Sequence, residues 1–205
     1  MCQTCVPTSE KPMRVHCRRR HGHAVPRPPR DVEPGLFHVY THSVWAADAL
    51  FRDERDRLTF LRELARTTGR TGWSCSAFCL MGTHYHLILD VAAGALPKGM
   101  HYLNFRYATW FNDRHGTKGH VHGRRYGARR IRDEADLLGV VKYAARNPVE
   151  AGLCERPEDW RWSSYAGTVG LSEQHSFVDD RRIINSFEGP IAFARAALRR
   201  YVDKS

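Results

Sequence analysis

Apolar and polar positions change period several times along this chain, and each change marks an element. Residues 36–44 (LFHVYTHSV) are rich in β-branched and aromatic types and predict a strand. Over 53–68, Leu58, Leu61, Leu64 and Ala65 recur at helical spacing, which predicts a helix stopped by Gly69. Two strand-like runs follow at 73–80 and 84–91, joined by the short connection Met81-Gly82-Thr83, the pattern of a hairpin.

A second helix is predicted over 97–112, with Met100, Leu103, Tyr107, Trp110 and Phe111 as its apolar stripe. Residues 126–131 read as a short strand. A third helix is predicted over 133–147 and is expected to end there, because Pro148 disfavours helical geometry in the residue before it. One more helix is predicted over 191–202. The order β-α-β-β-α-β-α describes an α+β fold: a ferredoxin-like split βαβ antiparallel sheet with an added C-terminal helix. The expected organisation is a basic arm over 1–30, a central domain over 31–165 and a helical extension over 166–205.

Charge sharpens this picture. Among 205 residues, 32 Lys and Arg stand against 22 Asp and Glu, a net +10. Residues 11–30 and 114–132 each hold seven bases and no acid, so the rest of the chain is mildly acidic. Two basic patches on such a body point to a polyanion, with nucleic acid favoured because acidic membranes usually also need an apolar anchor. There is no run of about 18 apolar residues to span a membrane and no apolar stretch near the start that would serve secretion. Six scattered cysteines suit a reducing cytoplasm. In the head, Cys2, Cys5, Cys17 and His21 have a spacing that would hold a tetrahedral zinc, but their flanks lack apolar residues. An arm that tracks the nucleic-acid backbone is the favoured account.

Two constellations carry candidate chemistry. His84-Tyr85-His86 lies on a predicted strand, so both imidazoles share one face while Tyr85 joins Leu87 and Leu89 in the core. Such a pair is a metal half-site, although His-x-His also arises by chance. In the third helix Leu137, Leu138, Val141, Ala144 and Ala145 form the core stripe. Tyr143 and Asn147 stand one turn apart, away from that stripe. Alone, they read as an aromatic at the core's edge and an ordinary residue before proline. Together with the histidines, they suggest three donors to a divalent ion and a tyrosine able to attack a phosphodiester. Tyr107 is expected in the core, Asp136 is expected to cap the helix rather than order the site, and His38 is unassigned between metal and core. Arg124, Arg125, Arg129 and Arg130, in a stretch interleaved with glycine, are the candidate phosphate contacts.

At this point the sequence resembles a family. The segments Phe37-His38-Val39, Leu50-Phe51-Arg52-Asp53, 79–87 (CLMGTHYHL), Arg106-Tyr107 with Phe111-Asn112, Tyr143 with 147–153 (NPVEAGL), and Trp162-Ser163-Ser164-Tyr165 are similar to REP-associated tyrosine transposases, single-tyrosine members of the HUH superfamily. The resemblance implies cleavage and rejoining of single-stranded or hairpin DNA with Mg²⁺ or Mn²⁺. His84 and His86 would then be the HUH ligands, Asn147 the third ligand and Tyr143 the nucleophile on the added helix. It also permits a homodimer, and implies work on DNA in a bacterial cytoplasm. Gly82-Thr83 departs from the Pro-Asn usual in relatives, and the basic head falls outside the pattern. The alternatives from other classes are a catalytically silent nucleic-acid-binding protein on the same fold and a metal-dependent hydrolase that uses water.

Overall fold

The computed structural model describes residues 33–43, 49–123 and 125–204. The basic arm with its Cys2, Cys5, Cys17 and His21, and Arg124 in the loop, lie outside the described residues. Residues 31–205 form one compact unit. Its elements are β1 (Gly35–His42), α1 (Glu54–Thr71), β2 (Ser74–Leu80), β3 (His84–Val91), α2 (Ala95–His115), β4 (Gly127–Arg130), α3 (Glu134–Glu150), the short α4 (Tyr165–Thr168) and α5 (Arg181–Ile184), and α6 (Ile191–Asp203). The sheet is antiparallel in the order β2-β3-β1-β4, which is the expected ferredoxin-like arrangement.

Alternation along the strands gives the sheet two apolar faces. Phe37, Val39, Phe78, Leu80, Tyr85, Leu87 and Leu89 pack on one side with Phe60 and Leu64 of α1 and Met100, Leu103 and Tyr107 of α2. Leu36, Ala77 and Ile88 pack on the other with Leu137, Val140 and Val141 of α3 and Ala194, Leu198 and Val202 of α6. Tyr85 and Tyr107 are core residues, as expected: their hydroxyls donate to Asn104 Oδ1 (2.9 Å) and the Leu50 carbonyl (2.6 Å). Leu58 is not part of the buried stripe of α1 and is half exposed, its place in the packing taken by Phe60.

Two helix ends differ from the expected ones. α1 runs through Gly69, at the modest cost of one interior glycine, and stops where Gly72 adopts φ 69°. α3 contains Pro148 and continues to Glu150. Proline removes one amide donor from the last turn, but burial of its ring and the following bonds hold the helix. The amides of Ala151, Gly152 and Leu153 donate to the Asn147, Val149 and Pro148 carbonyls, with Gly152 at φ 68° closing the end. Asp133, not Asp136, is the N-cap of α3: its carboxylate accepts from the Asp136 amide at 2.8 Å. Asp136 reaches back to the Arg132 amide (3.2 Å) and pairs with Arg129.

The C-terminal residues fasten this frame. Trp162 and Ser164 bond to the free edge of β2, through Leu80 N to Trp162 O (2.8 Å) and Ser164 N to Phe78 O (3.1 Å), which closes an edge that would otherwise pair with another chain. The end of α6 grips α3 on either side of Tyr143: Lys142 donates to the Lys204 carbonyl and Arg146 to the Val202 carbonyl.

At the far end of the α1–α2 pair, fully buried Asp56 accepts from the Arg52 amide (2.7 Å) and pairs with Arg114 and His115 from the end of α2. Removing a partner from a buried charge pair typically costs about 3–5 kcal/mol. Asp56→Ala is therefore expected to lower the unfolding free energy by about that amount in urea denaturation.

Candidate nuclease site

The site grows from the alternation of β3. With Tyr85 and Leu87 turned to the α1–α2 side, His84 and His86 share the opposite face, beneath α3. Their rings meet edge to face, with centroids 5.1 Å apart. His86 is buried under the helix, whereas His84 lies at the rim.

Asn147 and Tyr143 of α3 descend onto this pair. Asn147 Oδ1 lies 3.2 Å from His84 Nε2. The Tyr143 ring stands edge-on to His86 (centroids 5.2 Å) and to His38 (6.2 Å). Tyr143 is nonetheless 48% exposed, so its ring is held on one side and open on the other. The four residues singled out in the sequence thus lie together, all from one chain.

Two neighbours complete the cluster. His38 on β1 is buried, and its Nε2 lies 3.0 Å from His86 Nδ1. Burial first, and the Arg129 charge second, push its pKa down to about 4, with Asp136 opposing. Thr83, in the β2–β3 turn, places its hydroxyl 3.1 Å from His84 Nδ1. The sequence left His38 undecided because a single strand does not reveal its partner; the β1–β3 register that would have shown it is a tertiary fact. Thr83 gave no signal beyond its position in a turn that departs from the family pattern.

The donors present are two imidazoles and an amide oxygen. Among the described residues there is no cluster of three or more His, Cys, Asp or Glu side chains able to hold a metal. An octahedral Mg²⁺ keeps ligands at about 2.1 Å, so two adjacent ligands sit about 3 Å apart. The separation of His84 Nε2 and Asn147 Oδ1 fits that spacing.

The candidate phosphate contacts divide. Arg125 is exposed in the loop before β4. Arg129 pairs in register with His38, hence faces the site, and its guanidinium binds both Asp136 oxygens at 2.8 and 2.9 Å. That contact holds the Asp136 carboxyl below the usual carboxylate range. Arg130 turns to the opposite side, over the Phe37 ring (4.8 Å) and onto the Pro34 carbonyl (2.9 Å).

The basic loop is tied down by His122, which bridges to Ser43 and lies against Tyr85 and Tyr107. Burial there pushes its pKa down to about 4. The unfolded chain, with a pKa near 6.5, binds the proton first as pH falls, so stability is lost between about 6.5 and about 4. His122→Phe is expected to remove roughly 2–3 kcal/mol of that loss, read as the difference between wild-type and variant urea midpoints at pH 7 and pH 4.

No protein-family model matches the sequence, and neither does any curated protein. Among solved structures, that of a REP-associated tyrosine transposase bound to a REP hairpin is similar to this chain. The TM-score is 0.60 and the identity 14%, over 80% of this chain and 92% of that one. This protein therefore shares the α+β fold of a tyrosine transposase.

Proposed function

We propose that this protein is a metal-dependent single-stranded DNA endonuclease and strand transferase, acting at hairpin-forming repeats through a 5′-phosphotyrosine on Tyr143. The observation that carries the proposal is convergence: Tyr143 stands against His86 while Asn147, one turn on, meets His84. A pure binding protein has no use for that combination. The transposase of like fold is bound to a REP hairpin, which favours hairpin DNA as substrate here.

His84, His86 and Asn147 would hold Mg²⁺ or Mn²⁺, and such an ion, when bound, polarises the scissile phosphodiester and stabilises charge on its oxygens. The chain supplies the rest. Tyr143, fixed on one edge by His86 and His38, presents its phenol oxygen to the phosphorus, and its proton passes to water at the exposed side of the ring. The bond from phosphorus to the 3′ oxygen breaks, that oxygen leaves as a 3′-hydroxyl by taking a proton from water, and the 5′-phosphate stays on the tyrosine. The new ester conserves the bond energy, so the reverse attack by a 3′-hydroxyl rejoins the strand. Arg125, Arg129 and the neighbouring Arg124 receive the backbone, Arg129 by exchanging Asp136 for a phosphate. Because one chain contributes all four residues, a second copy is not needed to complete the site. On this reading the work is done on DNA in the cytoplasm.

The test incubates wild type and Tyr143→Phe with single-stranded hairpin DNA and Mn²⁺. At an exposed position the substitution should change stability by no more than about 0.5 kcal/mol, so loss of activity reports on chemistry. A covalent 5′-linked adduct is expected with wild type alone. Cleavage that survives in the variant would replace this mechanism with hydrolysis by water, and binding without cleavage in either protein would make the chain a silent binder.

A further inference from the structure

Both histidines of the pair are engaged at the same ring atom. His84 Nδ1 is 3.1 Å from the Thr83 hydroxyl and His86 Nδ1 is 3.0 Å from His38 Nε2. Nδ1 of each ring is held by a side chain outside the proposed donor set, whereas the partner of His84 Nε2 is Asn147, itself a proposed donor, so a bond from either histidine to a metal would run through Nε2. For His84 that atom lies beside Asn147 Oδ1.

We infer that Thr83 and His38 are positioning residues, each holding the Nδ1 of one histidine so that both Nε2 atoms serve a single ion. This rests on the proposed reading of His84, His86 and Asn147 as metal donors, and names the residues that make them so. Ligating histidines commonly owe their tautomer and ring orientation to a partner at the other nitrogen. Here the two partners differ in kind. Thr83 is local, the residue just before His84, and its hydroxyl both donates and accepts. In the metal-free protein His84 Nε2–H donates to Asn147 Oδ1 while the Thr83 hydroxyl donates to Nδ1. With an ion at Nε2 the proton would reside on Nδ1 and the same hydroxyl would turn to accept it. The exchange moves one proton between two atoms of one ring and releases none.

His38 comes from another strand, brought beside His86 by the β1–β3 pairing. With an ion at His86 Nε2 it would accept the His86 Nδ1 proton at its own Nε2 and carry its own proton on Nδ1. Both partners are neutral, unlike the carboxylate that often supports a metal-bound histidine, so they orient the ligands without adding negative charge.

The test measures Mn²⁺ binding to the full chain by titration calorimetry. Thr83→Val, which keeps the shape and loses the hydroxyl, and His38→Leu are each expected to weaken binding by roughly 10–100-fold. Thr83→Ser and His38→Gln, whose side-chain oxygens reach the same Nδ1 atoms, are expected to restore it, which a loss caused by packing would not allow. His84→Ala is expected to abolish binding. Should His84→Ala bind like wild type, the metal reading itself fails. Should it lose binding while Thr83→Val and His38→Leu retain wild-type affinity, that reading stands and this inference falls. A second measurement needs no variant: long-range ¹H–¹⁵N spectra of histidine-labelled wild type with Mg²⁺. His84 and His86 are both expected as Nδ1–H tautomers, and an Nε2–H signal from either overturns the assignment.

Discussion

The hydrogen bond between His38 and His86 joins two imidazoles on neighbouring central strands, under a helix, where water has little access. A buried polar nitrogen without a partner costs about 1–3 kcal/mol, so each ring makes the other's burial tolerable. That pairing fixes what else the molecule does. It requires β1 and β3 to be adjacent, which the split βαβ order provides, and it requires a cover on the face away from α1 and α2. The cover is α3, and the residue it lays against both rings is Tyr143.

α3 is held in place by more than its apolar stripe. Its start is capped by Asp133 and tied to β4 through Asp136 and Arg129. Its far end closes on Gly152, and α6 packs along it while accepting hydrogen bonds from Lys142 and Arg146. The C-terminal residues, set apart as an extension when only the sequence is considered, share a core with the sheet and this helix. They act on the site at one remove, by fixing the helix that presents Tyr143.

Much of this was legible from residue periods, because strands and helices with one buried face must repeat at two and at about 3.6. The element order, the burial of Tyr85 and Tyr107, and the shared face of His84 and His86 all follow from that rule. What was not legible depended on tertiary context. Pro148 argues locally for a helix end, yet burial of its ring and a good C-terminal closure carry the helix past it. His38 looked like any polar residue on a strand until the register, which pairs it with Ile88, put it diagonally across from His86 on the same face. Arg129 and Arg130 are adjacent in sequence and equal in charge, but strand alternation sends one toward the site and the other onto Phe37.

The last consequence concerns charge. The proposed donor set of His84, His86 and Asn147 brings no formal charge, and neither do Thr83 and His38 behind it. On the proposed reading, a divalent ion there would gain no formal charge from these ligands, so its electrostatic complement would come from a DNA phosphate. Arg129 would strengthen this dependence, since Asp136, the acid that acts on His38, is already bound to it. Strand and ion should therefore favour each other's binding, each bringing the charge that the other needs. The basic loop, tied down through His122 to Ser43, Tyr85 and Tyr107, would raise the local concentration of that phosphate. On the proposed reading, the net +10 of the chain and the neutrality of its donors would be two parts of one arrangement: attraction supplied at the margins, and the centre left for the charges that react.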